Sequence, residues 1–80
     1  MDITYYVVVP FDRDADGSLA PGEAAEAPNA SAAARKARML SLSHAGALAF
    51  SRSGDPAAGE FRDAVVLAEF GEVERGALSA

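Results

Sequence analysis

The chain has 80 residues, half of them hydrophobic, but 19 are alanine and only 17 are Leu, Ile, Val or Phe. That is enough for one thin core and no more, because a domain this small hides only about 60% of its unfolded surface. The absence of cysteine excludes disulfides, thiolate metal sites and thiol nucleophiles. The net charge of −5 argues against nucleic acid as a partner. No apolar run reaches the roughly 18 residues of a membrane span, and Met1-Asp2 lacks the basic start of a signal peptide. The expectation is a cytoplasmic protein with no membrane partner.

Residues 3–9, Ile-Thr-Tyr-Tyr-Val-Val-Val, are β-branched or aromatic throughout and predict a strand. Residues 19–27 predict a weaker second strand, broken by Pro21-Gly22 and so placed at a sheet edge. Pro28-Asn29-Ala30-Ser31 predicts a helix start capped by Asn29 or Ser31. The alanine-rich run that follows predicts a helix to about Ala45, with Gly46 as its terminator. Ala33, Ala37, Leu40 and His44 share one face of it, and Arg35, Arg38 and Leu42 the other. These bases belong to a block, residues 29–54, that has four bases and no acid. No aromatic interleaves with them, so base stacking has no platform.

Residues 47–52 predict a third strand, 53–59 a turn-rich loop, and 61–70 a fourth strand centred on Val65-Val66-Leu67. The order ββαββ predicts an α+β fold of two layers, one helix packed on a small antiparallel sheet. The domain is expected to span residues 1–72, with 73–80 a frayed polar tail. One helix covers one sheet face, yet both faces are apolar. Tyr6, Val8, Val65 and Leu67 are therefore expected to form the uncovered face and to join a second copy or another protein.

One motif carries chemistry. Asp12, Asp14, Asp16, Gly17, Ser18 and Glu23 fit the spacing D-x-D-x-D-G-x5-E. Hard carboxylate oxygens around one centre suit Ca²⁺; Ser18 would add its carbonyl and Glu23 would close the site. The segment resembles an EF-hand calcium loop over these twelve residues only. It lacks the flanking helices, since a strand precedes it and Pro21-Gly22 and Pro28 follow. A hairpin turn uses the same Asp-Gly chemistry without any metal. The turn is the first expectation, with no cofactor, and calcium the alternative.

Two other groupings invite a function. His44 is the single histidine, with Ser41, Ser43, Ser51 and Ser53 within the same stretch, but no nucleophile-elbow pattern surrounds any of them. It is expected near the last helical carbonyls. Arg52, Ser53 and Gly54 make a candidate anion site, against a plain turn in which Arg52 pairs with Glu60 or Asp63. No catalytic residue emerges, so the expectation is not an enzyme.

The stretches Tyr6-Val7-Val8-Val9-Pro10-Phe11 and Ala49-Phe50-Ser51-Arg52-Ser53-Gly54-Asp55-Pro56, with Gly59-Glu60-Phe61 and Asp63-Ala64-Val65-Val66-Leu67, are similar to short uncharacterised bacterial proteins. The resemblance implies a bacterial single-domain protein and no particular activity. The sequence thus predicts a self-associating or protein-binding module.

Overall fold

Two long strands, β1 (Ile3–Arg13) and β4 (Gly46–Asp55), run antiparallel down the middle of the sheet in a computed structural model that describes residues 1–76. They pair without interruption from Ile3↔Gly54 to Phe11↔Gly46. The outer edge of β1 carries β2 (Leu19–Pro21) and then β3 (Ala25–Ala27). The outer edge of β4 carries β5 (Glu60–Phe61) and then β6 (Val65–Gly71). The single helix, α1 (Ala30–Leu40), crosses one face. The chain is thus a single α+β domain with an antiparallel sheet.

The sheet has six strands, more than the four of the expected ββαββ order, because both outer positions are split. Between the pairs Phe11↔Pro21 and Val8↔Ala25 the outer chain uses one residue more than β1 does. The same surplus recurs between Gly54↔Phe61 and Ser51↔Val65. An extra residue interrupts the ladder as a bulge and bends the strand. A further register shift opposite Ala49 and Phe50 falls at Leu67.

The helix begins where Asn29 Oδ1 accepts the main-chain N–H of Ala32 at 2.8 Å, which satisfies one of the free amides of the first turn. It ends at Leu40 rather than near Ala45. Ser41 Oγ donates to the Arg38 carbonyl at 2.6 Å, and the Ser41 N–H donates to the Ala37 carbonyl. Serine hydroxyls that compete for backbone carbonyls close the helix before the glycine is reached. Gly46 instead starts β4, buried under the main chain of Glu72, where a Cβ would collide.

Against the helix lie Val8, Ala47 and Ala49 of the sheet, all fully buried with Ala33 and Ala37 of α1. Alanine on both sides lets the layers approach closely. Tyr6, Ala27, Leu40, Leu67, Ala68 and Phe70 pack around this cluster. The opposite face has its own core of Val9, Phe11 and Leu48, with Val7, Leu19, Phe50, Val66 and Val73 against it. Val73 lies beyond the domain boundary expected at residue 72, so the packed part of the chain continues past it. The rest of the expected tail, from residue 77, lies outside the described residues. No helix among the described residues is long and apolar enough to cross a membrane.

Candidate functional site

The Asp-rich segment folds as a hairpin turn joining β1 to β2. The Asp14 N–H donates to the Ser18 carbonyl at 2.9 Å, and the Gly17 N–H to the Asp14 carbonyl at 3.0 Å. Gly17 has φ 84°, the left-handed conformation that a three-residue hairpin loop requires and that glycine adopts without strain. Asp14 Oδ1 accepts the N–H groups of Asp16 at 3.2 Å and Ser18 at 3.0 Å, which stiffens the turn from within. Arg13 Nη1 closes it from the strand side by donating to the Gly17 carbonyl.

Asp12 faces away from that turn. Its Oδ2 meets His44 Nδ1 at 2.5 Å and its Oδ1 accepts the Ala45 N–H at 3.1 Å. It therefore ties the end of β1 to the connection between α1 and β4. The His44 bond, helped by the Ala45 amide, holds the Asp12 carboxyl below its ordinary range against the opposing pull of desolvation. His44 thus binds a carboxylate across the sheet and not the last carbonyls of the helix, because the helix has already ended at Leu40.

The calcium ligand set is consequently spread over separate tasks: Asp12 on His44, Asp14 on its own turn, and the Ser18 carbonyl on the Asp14 amide. Glu23 sits beyond the end of β2, exposed. Among the described residues no three His, Cys, Asp or Glu side chains gather as a metal ion would need.

The anion candidates are also committed elsewhere. Arg52 Nε donates to the Arg62 carbonyl at 3.3 Å, and the Ser53 hydroxyl hydrogen-bonds Thr4 Oγ1 at 2.7 Å. The expected loop at 53–55 is the continuing strand β4, paired on both sides through Gly54. A strand directs its amides into the ladder, so they do not converge on an anion. Arg62, in turn, pairs with Asp2, closing a shallow acidic hollow lined also by Asp55 and Glu60.

The four expected interface residues lie on the helix side of the sheet. Val8 is fully buried under α1, and Tyr6 and Leu67 pack against the same cluster. Val65 pairs with Ser51, whose other neighbour is Tyr6, and remains 59% exposed. The parity is thus opposite to the expectation: the odd-numbered residues of β1 face away from the helix.

That second face has two ends. At one, Leu19 and Val73 fold over Phe11 and Leu48, which have no exposed surface. The Glu72 N–H donates to the Ala45 carbonyl, and Arg13 Nη2 meets Glu72 Oε1 at 2.7 Å, fastening the closing segment. Among the described residues the other end is open. Tyr5, Val7, Phe50, Arg52 and Phe61 line a broad groove of ≈ 500 Å³ there. The Tyr5 and Phe61 rings meet at 6.3 Å between centroids and 38° between planes, a tilted contact in the favourable range for aromatic pairs.

A hint of this parity stands in the sequence at 47–50, where small Ala47 and Ala49 alternate with large Leu48 and Phe50. An alanine-faced helix packs closest on small residues, so the large pair belongs on the far side. Choosing the parity of β1 then needs the register Val8↔Ala49, which only the paired strands supply. No family model, curated protein or solved structure matches the chain.

Proposed function

We propose that this chain is a non-enzymatic binding module that receives a protein surface on the open end of its second sheet face. The observation that carries the reading is the groove of Tyr5, Val7, Phe50, Arg52 and Phe61. Aromatic side chains and arginine are the residue types that dominate protein interfaces, since they bring large contact area at modest entropic cost. The groove floor is paired strand, so its main-chain groups are already used and recognition falls to side chains. The hydrogen bonds of the Asp-rich turn favour a structural role there, and calcium binding by Asp12, Asp14, Asp16, Ser18 and Glu23 is the weaker alternative.

A photo-reactive phenylalanine analogue placed at Phe61, on the groove, tests the reading against the same analogue at Met39, exposed on the helix. Protein adducts in living source cells are expected at position 61 at several times the yield at 39. Equal yields at the two positions would reject the open face as a binding surface.

A further inference from the structure

We infer that the outer face of α1 is a second contact surface, which rests on an anionic lipid bilayer through Arg35, Lys36 and Arg38 and sinks Met39 and Leu42 into it. The inference goes beyond the binding-face reading and concerns the opposite side of the sheet. It begins from the distribution of bases. The chain has 7 of them against 12 acids. The four outside α1 are engaged: Arg13 with Glu72, Arg62 with Asp2, Arg75 with Glu69, and Arg52 with the Arg62 carbonyl. The three on α1 are exposed, and among the described residues their side chains have neither a hydrogen bond nor an ion pair. No acid lies on α1 or on the connections that flank it, so Arg35 and Arg38, one turn apart, repel each other with no carboxylate to offset it. The helix dipole favours Arg38 in the last turn but does little for Arg35 and Lys36 in the middle.

The apolar residues select the kind of anion. Ala33, Ala37 and Leu40 turn toward the sheet, so the helical repeat puts Arg35 and Met39 on the crest opposite. Leu42 follows one turn later, where its N–H donates to the Met39 carbonyl. Met39 is 63% exposed and Leu42 79%, on a side that a surface helix ordinarily keeps polar. Nucleic-acid phosphates would leave both in water, and a convex crest offers no groove to a peptide. A bilayer takes in the apolar side chains while the bases beside them hold their charges at the headgroups. The acids do not cancel this attraction. Asp12 reaches the α1–β4 connection but is held by His44 and Ala45. Asp55 and its ladder partner Glu60 stand about 30 Å along β4 from Gly46. Glu26 and Glu69 project to the other face, opposite Val7 and Leu48. Exposed charges are screened beyond about 8 Å at physiological salt. A surface contact needs no spanning segment, so the lack of one does not bear on it.

Co-pelleting of the full chain with lipid vesicles, up to several millimolar lipid, tests this. Phosphatidylcholine vesicles with about 30% phosphatidylserine are expected to carry down the parent, and pure phosphatidylcholine several times less. Arg35→Gln with Arg38→Gln should raise the lipid concentration for half-binding about tenfold, and Leu42→Ser about threefold. Arg13→Gln with Arg75→Gln removes the same net charge away from α1 and should shift it by less than about twofold. All five positions are exposed, so the variants keep the fold. A parent that stays in solution with the anionic vesicles overturns the inference, as does equal binding to both kinds of vesicle. An equal loss in the two glutamine pairs overturns it too, since net charge alone would then account for the binding. Capture on polyglutamate beads without vesicle binding would give the face to an acidic protein and remove the lipid. Adducts at position 61 report on the other face, so the two readings fail separately.

Discussion

The two ends of the second sheet face are built from the same pair of strands and differ in what lies above them. At the closed end Phe11 and Leu48 are sealed by Leu19 and Val73, and the polar side chains nearby have partners: Arg13 in an ion pair with Glu72, Asp12 in a hydrogen bond with His44. At the open end Phe61 and Tyr5 rest on each other and remain partly in water. The closing material comes from the two segments that immediately follow strand ends, the hairpin into β2 and the residues after β6. Among the described residues nothing of the kind follows the open end, where the β4–β5 turn at Pro56–Gly59 leads straight into the edge strand. The difference teaches that a one-helix sheet completes its second core only as far as its own connections reach. Beyond that point it offers surface.

The largest expected effect of breaking this contrast is at Phe11. Phe11→Ala empties the closed end and should cost about 3–5 kcal/mol, read as a shift of the denaturant midpoint. That is a large part of the total stability of a domain this size. Next comes Gly46→Ala, whose new Cβ collides with the Glu72 main chain and pushes away the segment carrying Val73. A loss of about 1–3 kcal/mol is expected, with new hydrogen exchange at Glu72 and Val73.

A smaller effect belongs to Asp12. Its folded pKa lies below the ordinary 3.8, so its contribution is whole above that value and is lost as the pH falls through the lowered one. Asp12→Asn should therefore be less stable than the parent near neutrality, with the gap closing on acidification. A parallel offset between the two pH profiles would refute the linkage. The smallest effect on stability is expected at the open end. Phe61→Ala should move the midpoint by about 1 kcal/mol, well short of the Phe11→Ala shift, because the half-exposed ring loses little beyond its contact with Tyr5. A cost at Phe61 equal to that at Phe11 would show that the two ends are alike.

The fold class was legible because its signals are local. The run Ile3–Val9 has the side chains of a strand, Asn29 has the side chain of a cap, and the alanine run has the propensity of a helix. The Asp-Gly pair likewise announced a turn, and a turn is what Asp14 and Gly17 build. The helix end was misplaced since Gly46 is the stronger textual stop. The serines at 41 and 43 act earlier through bonds to carbonyls that a sequence does not display. The interface residues fell on the wrong face for a different reason. Both parities of β1 are apolar, so alternation distinguishes two faces without saying which one the helix takes.

By itself, then, the sequence determined the kinds of element, their order, the alanine face of the helix and the Asp-Gly turn. Each of these depends on neighbours within a few residues. The tertiary structure decided the split of both outer strands, the face that α1 covers, the partner of His44 and the end of the sheet left open. These depend on register between segments as far apart as Arg13 and Glu72. A one-residue shift in that register would exchange the two faces of a strand while leaving its local preferences unchanged.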